Sequence, residues 1–348
     1  MKVARVVQWT TGRVAQQAVK AIVARPDLEL VGAYAFSKDK IGRDVAELVG
    51  LGEKLGVCAT DDIDALLALR PDCVLYMPLH PDLDHLSRLL RAGINVATTA
   101  LVTGGGLGAQ AKATLDEAAR QGGATLFGTG VHPGHTDLLA AVASGMCRDV
   151  RYVRVVEAVD LSLWAGEATQ DEFGWGRPAG DPGHAADIER VTAVDVDSLE
   201  LIAQLMGREL DDVRCEVEFA HATADLDIPG RPVKQGTVAG IDIRWIGVCG
   251  GVDAVEVHLR WTLGSALEPQ WEMPDSYFML DVRGTPCVTL RLAIAPDEEA
   301  SLSLEDMVAF GQLITAMPVV NAIHAVIAAP PGFVTYADLP PIAAQLGH

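Results

Sequence analysis

No stretch of this sequence approaches the roughly 18 consecutive apolar residues that a bilayer-spanning helix needs, although 49% of the residues are hydrophobic. A soluble protein with no membrane partner is expected. Residues 1–7 lack the basic, apolar and small-residue zones of a secretory leader and read as a first buried strand, so the expected location is the cytoplasm. Paired cysteines are missing too. The 6 cysteines stand far apart at positions 58, 73, 147, 215, 249 and 287, without CxxC spacing or a Cys/His cluster. That predicts reduced thiols and no zinc site. Positive charge is scarce: 27 Lys and Arg stand against 47 Asp and Glu, a formal charge of −20. Such a surface repels nucleic-acid phosphates and anionic lipid. No internal repeat or low-complexity tract is visible.

What is present is length and rhythm. At 348 residues the chain exceeds the about 100–200 residues of a usual domain, which predicts two. Up to about residue 150, β-branched runs alternate with amphipathic stretches, the pattern of βαβ units around a parallel sheet. Strands are expected at 3–7, 28–35, 73–77, 95–98 and 125–127, with helices at 14–24, 63–69 and 82–92 and another ending at 121. From 151 to 303 strand candidates succeed one another at 151–158, 213–224, 236–247, 254–263, 277–283 and 287–294, with one clear helix at 194–206. The predicted class is α/β: an N-terminal Rossmann-type parallel sheet over 1–150, then an α+β domain with a largely antiparallel sheet over 151–303. Two C-terminal helices, 304–316 and 321–328, are expected on either side of Pro318, and the segment 304–348 is expected to pack back on the first domain.

Ligands of open α/β sheets gather at the carboxyl ends of strands. The first such end, Trp9-Thr10-Thr11-Gly12-Arg13-Val14, holds a single glycine in place of the usual glycine fingerprint. Its position between strand and helix still suits a dinucleotide pyrophosphate. After the second strand come Ser37, Lys38 and Lys40 rather than the acid that binds an NAD ribose, which favours NADP over NAD. Pro78 and His80 follow one later strand, and Thr98, Thr99 and Ala100 another; these are expected cofactor contacts, with plain loops as the alternative. In the glycine-rich turn 128–134, His132 and, just after it, His135 could move protons, as could Glu157 and Asp160 at a later strand end. The irregular segment 161–186 carries Trp164 and Trp175 and reads as a lid or as a surface loop. Trp164, Trp175, Trp271, Met273, Tyr277 and Met317 are expected to shape a pocket for a small, fairly apolar substrate, with Asn321 and His324 as polar candidates nearby.

Residues 41–48, 57–62 and 96–99 resemble the N-terminal domain of dihydrodipicolinate reductase in order and spacing. Over nearly the whole chain, the turn at 8–14, Gly130-Val131-His132-Pro133-Gly134 and the segments 321–323, 330–332 and 338–340 resemble the relatives that include 2,4-diaminopentanoate dehydrogenase and the native amine dehydrogenases. The resemblance implies NAD(P)-dependent interconversion of an amine with a carbonyl compound, in a homodimer whose second domain supplies the interface. It also implies Asn321 near the cofactor. Dihydrodipicolinate reductases carry a His-His pair and a lysine beyond the domain junction, whereas Glu157-Ala158-Val159-Asp160-Leu161 stand here. The amine dehydrogenases carry a catalytic glutamate where Leu101 or Val102 aligns, and these two residues are expected to line the pocket instead. A cofactor-binding protein without turnover and a plain carbonyl reductase are the competing expectations.

Overall fold

The computed structural model describes residues 2–164, 168–296 and 304–345. The first strand, β1 (Ala4–Trp9), is apolar enough to be buried along nearly its whole length, and α1 (Arg13–Val23) follows with Ala15, Ala18, Val19 and Ile22 on its inner face. Then come β2 (Leu28–Tyr34), α2 (Val45–Val49), β3 (Ala59–Thr60), α3 (Ile63–Ala68), β4 (Cys73–Tyr76), α4 (Leu83–Arg91), β5 (Asn95–Thr98), α5 (Ala109–Gly122) and β6 (Thr125–Gly128). Aspartates start three of the helices: Asp44, Asp62 and Asp82 each accept backbone N–H bonds from the first turn that follows.

A second series begins with α6 (His135–Ser144) and β7 (Val150–Asp160), continues through α7 (His184–Val191), α8 (Val196–Leu205), β8 (Asp212–Ala222), β9 (Val238–Cys249) and β10 (Val252–Thr262), and ends with β11 (Leu267–Glu268), β12 (Phe278–Gly284) and β13 (Val288–Leu292). The chain then returns to the first sheet with α9 (Leu304–Ala328) and β14 (Gly332–Val334). Contacts divide it into two compact units, Met1–His135 with Leu302–His348, and Thr136–Ser301.

Within the first unit the sheet order is β14-β6-β5-β4-β1-β2-β3, and every pairing is parallel. The strand order reverses between β1 and β4, the switch point at which such sheets open a crevice. One face holds Val7, Trp9, Val74, Tyr76 and Val96 against Leu86, Leu90 and Leu115 of α4 and α5. The other is covered by α1 and α9. The Rossmann-type architecture expected from the strand rhythm is thus present.

The second unit holds a sheet ordered β11-β8-β9-β10-β7-β12-β13, antiparallel except where β10 runs parallel to β7. Odd-numbered positions of β9 meet the helices: Gly247 lies against Leu199 of α8, and the Trp245 indole donates to Thr192. Even-numbered positions carry a lattice of charge. Arg244 bridges Glu216 and Glu256, and Asp242 accepts from His258 and Arg260.

Several expectations change. Pro318 does not separate two helices; it lies inside α9. Its missing N–H leaves the carbonyl of Ile314 without its helical donor. Ala316, Val319, Val320, Ala322, Ile323 and Val326 are fully buried on both sides of it, and that burial outweighs the loss. Val308–Ala328 is also long and apolar enough to cross a bilayer by composition, with a mean hydropathy of 1.5, and here it is laid against α1 and the sheet. The short elements α2, β3 and β14 were not foreseen. In the irregular segment, 3-10 turns form at Leu161–Leu163 and Ala168–Phe173 and α7 starts at His184; residues 165–167 lie outside the described residues.

Candidate cofactor cleft and a second cavity

At the carboxyl ends of β1, β2 and β4 a cavity of about 190 Å³ brings together Thr10, Thr11, Gly12, Ser37, Lys40 and Pro78, all singled out from the sequence. Ala35, Phe36, Met77 and Leu79 complete its wall. Met77 and Leu79 flank Pro78 in the strand end already expected to contribute, whereas Ala35 and Phe36 stood beside Ser37 without being assigned a role. The usable signal was a bulky apolar residue just beyond a strand end, since Phe36 is 72% and Leu79 59% exposed.

The turn departs from the glycine fingerprint in an informative way. A G-x-G-x-x-G/A pattern laid over residues 10–15 places Gly12 at its second glycine and Ala15 at its third, leaving Thr10 at the first. Thr10 nevertheless adopts φ 76°, the left-handed conformation that glycine ordinarily supplies. Two bonds hold it there: its N–H donates to the carbonyl of Tyr34 at 3.0 Å, and its Oγ1 donates to that of Met77 at 3.1 Å. The side chain thereby ties the ends of β1 and β4 across the switch point. Gly12 stands at the start of α1, where no side chain caps the helix and a Cβ would meet nothing within 4 Å. The space beside Gly12 at the start of α1 is therefore open, the position at which a helix N-terminus takes a phosphate.

Not every expected contact is in this cleft. Trp9 is a correction: it shares the Val7 side of β1, is 1% exposed and stacks on Tyr34 at 4.3 Å, so its ring belongs to the core. Thr98 is another, because its fully buried Oγ1 is spent on the N–H of Ala100 at 2.9 Å. Asn321 is a third. It accepts from Arg25 at 3.2 Å, beside the start of β2 and so at the amino-terminal ends of the strands, away from the cleft, where His324 bonds Asp27 at 2.7 Å. Arg13 and Val14 open α1, while Lys38, His80, Thr99 and Ala100 lie outside the residues that line the cavity. Leu101 and Val102 are 1% and 3% exposed, and Leu101 packs in the core with Leu115 and Leu126 rather than lining an open pocket.

The glycine-rich turn is closed by bonds from Gly130 N to Pro133 O at 2.9 Å and from His135 N to Gly130 O at 3.0 Å. Gly134, at φ 127°, has no room for a Cβ beside Thr129. Below the turn, the Thr129 and Tyr336 hydroxyls share a buried hydrogen bond of 2.8 Å. Burial draws the His135 imidazole below its ordinary value, so it is neutral near pH 7 and able to accept a proton. His132 is half-buried in the same turn.

The remaining candidates belong to the second unit, apart from Met317, which is half-buried on α9. Glu157 accepts from the Trp261 indole at 3.0 Å. Asp160 ends β7 and accepts from Ser162 N at 3.0 Å and Gly264 N at 3.1 Å. Asp160, Trp271, Met273 and Tyr277 line a cavity of about 500 Å³, to which Gln270 and Ser276 also contribute. Trp175 is a correction: it is 7% exposed and its indole donates to Gln170 at 3.1 Å, which anchors the loop from within. Trp164 is half-buried beside the residues that lie outside the description. Among the described residues no group of His, Cys, Asp and Glu is arranged to hold a metal ion.

Known proteins resemble both parts. Residues 5–128 match the N-terminus of dihydrodipicolinate reductase, and residues 135–348 match the 2,4-diaminopentanoate dehydrogenase C-terminal domain. An amine dehydrogenase of Streptomyces virginiae is 28% identical over 361 residues, 98% of each chain. A 4-hydroxy-tetrahydrodipicolinate reductase of Synechococcus elongatus is 38% identical over 104 residues, 28% of this chain and 38% of that one. The structure of amine dehydrogenase from Mycobacterium smegmatis shares the fold with a TM-score of 0.79 at 22% identity, over 98% of this chain and 97% of that one.

Proposed function

The chain belongs to the family described by the 2,4-diaminopentanoate dehydrogenase C-terminal domain and is an NAD(P)-dependent oxidoreductase of the amine dehydrogenase-like kind, and from that premise we propose that it uses NADP(H) to interconvert a small apolar amine with its ketone or aldehyde through the imine. The observation that carries this reading is the cleft beside the switch point, where Thr10, Gly12, Ser37 and Lys40 share one wall. The residues fit a dinucleotide: Gly12 leaves open space where a side chain would intrude, and the uncapped first turn of α1 offers its N–H groups to a pyrophosphate. Phe36 and Leu79 offer apolar surface for an adenine ring. Ser37 and Lys40 suit a ribose 2′-phosphate, where an NAD site carries an acid. A bound nicotinamide supplies the hydride donor or acceptor; binding, orientation and proton movement fall to the protein. For the proton we assign His135, neutral by burial, with His132 in the same turn.

We also propose that the second sheet is the interface of a homodimer. Its charged face is turned away from α7 and α8 and carries both signs in alternation, so two copies related by a twofold axis can oppose acid to base. Glu256, 1% exposed within one chain, is held by Arg244 and by the Tyr152 hydroxyl, which keeps the lattice in register.

The cofactor assignment is tested by titrating the purified protein with NADPH and with NADH. NADPH binds more tightly, and Lys40→Ala weakens NADPH by about tenfold while leaving NADH unchanged. An equal loss for both nucleotides, or a preference for NADH, contradicts it.

A further inference from the structure

A cavity of about 760 Å³ lies in the second unit at the amino ends of β7 and β10, within the range of about 300–1,000 Å³ usual for small-molecule sites. Val255 on its floor pairs with Val153 and with Gly247, and Gly247 lies against Leu199 of α8, so these residues point to the helices and away from the charged face of the sheet. Ala203 and Met206, at the end of α8, complete an apolar wall. The charged lining residues are Arg151, Arg208 and Asp253. Asp253 is already matched, since its two oxygens accept from Arg214 at 2.6 Å each. Neither arginine has a carboxylate partner among the described residues. Arg151 donates to the Gly284 carbonyl at 3.4 Å, and Arg208 Nη2 comes within 3.2 Å of the position a Cβ would take on Gly250. In a chain with a formal charge of −20, two guanidinium groups without a counter-ion give this cavity a positive potential that the net charge opposes. The Cys249 thiol in the same lining responds to it: burial raises the thiol first, and Arg208 opposes that rise. Gly250 lies in the turn between β9 and β10 and Gly284 ends β12, so in the order β9-β10-β7-β12 the two cations are anchored on either side of the Val255 and Val153 floor. At about 4.8 Å per strand, two to three spacings set their anchors roughly 10–14 Å apart.

We propose that this cavity binds an organic dianion with one carboxylate at each end of an apolar spine, Arg151 holding one carboxylate, Arg208 the other, and the spine lying on Val153, Val255 and Met206. A guanidinium meets a carboxylate through two parallel N–H bonds, each about twice as strong as a neutral hydrogen bond. A small inorganic anion would leave the apolar floor uncovered, and a monoanion would leave one guanidinium unmatched. A cation would face two like charges. The site lies within one unit, on the sheet face opposite the proposed dimer interface, and needs no nucleotide, so it stands or falls apart from the cofactor and dimer assignments.

The test is calorimetric titration of the full chain, without nucleotide, with disodium suberate, disodium succinate and 1,8-octanediol. Suberate has the charges and the length, succinate the charges on a spine too short to reach both arginines, and the diol the length without charge. Suberate saturates one site, and the other two bind at least about tenfold more weakly. Arg151 and Arg208 are both exposed and neither carries an ion pair, so Arg151→Gln and Arg208→Gln fold as the parent does, and each weakens suberate by about tenfold. Absence of saturable binding, equal binding of succinate or the diol, or undiminished affinity in either variant overturns the proposal.

Discussion

Thr10 and Gly12 carry the residue-scale argument, since they show how a turn with one glycine does the work of three. The left-handed backbone at Thr10 costs about 1–2 kcal/mol relative to an ordinary conformation. The hydrogen bond from its Oγ1 to Met77 returns about 1 kcal/mol. Thr10→Ala keeps the strain and loses the bond, so it destabilises by about 1 kcal/mol or more. Thr10→Gly relieves the strain and loses the bond together, and denaturant unfolding places it close to the parent. Gly12→Val makes the opposite separation. Nothing surrounds its Cβ position, so the melting temperature holds, while the branched side chain stands in the phosphate path and nucleotide affinity falls by about tenfold or more. A parallel loss of stability and affinity in Gly12→Val would show that the turn is structural alone.

Residue positions at strand ends were legible in the sequence, but side-chain direction was legible only in part. Strand parity already places Trp9 with Val7, and the structure puts both in one core cluster. Thr98 reads as polar and therefore available, yet its hydroxyl is consumed by the next turn, a local bond that composition does not reveal. Asn321 finds its partner Arg25 at a separation of 296 residues, beyond the reach of any periodicity.

Among the elements, α9 is the one whose sequence signal and structure diverge. Its proline predicts a break, but continuous burial on both sides holds the helix together. Pro318→Ala restores the N–H donor to Ile314 and is expected to raise stability by about 1–3 kcal/mol in urea unfolding. The helix is also tied down at Asp27, which accepts from Arg25, His324 and Gln345. The Arg25 guanidinium, then His324, hold the Asp27 carboxyl well below the ordinary carboxylate range. A depressed carboxylate contributes stability that is fully present above its unfolded value of 3.8 and is lost as pH falls towards the folded value. Asp27→Asn therefore costs roughly 2 kcal/mol at neutral pH and narrows its gap to the parent on acidification. The short elements β3 and β14 were out of reach because 2 and 3 residues carry no period; each is a strand only because a neighbour supplies the pairing.

For the whole molecule, the alternation of β-branched runs and helices was enough to read a doubly wound sheet followed by an antiparallel one, because those periods are set by burial. The residues that define each cavity were less accessible, since Phe36 with Leu79, or Asp160 with Ser276, meet only after distant strands pair. The charged face of the second sheet leads to a prediction at this scale: sedimentation gives the mass of a dimer at low salt, and the dimer weakens as salt screens the exposed part of the lattice. A monomer under both conditions contradicts the interface. The central claim is oxidoreduction at a C–N bond by a nicotinamide enzyme. Its most direct test is NADPH oxidation by the purified chain over a panel of small apolar ketones and aldehydes, with and without ammonia. The account predicts oxidation that requires ammonia and yields the corresponding primary amine; oxidation indifferent to ammonia, or none despite saturable nucleotide binding, would contradict it.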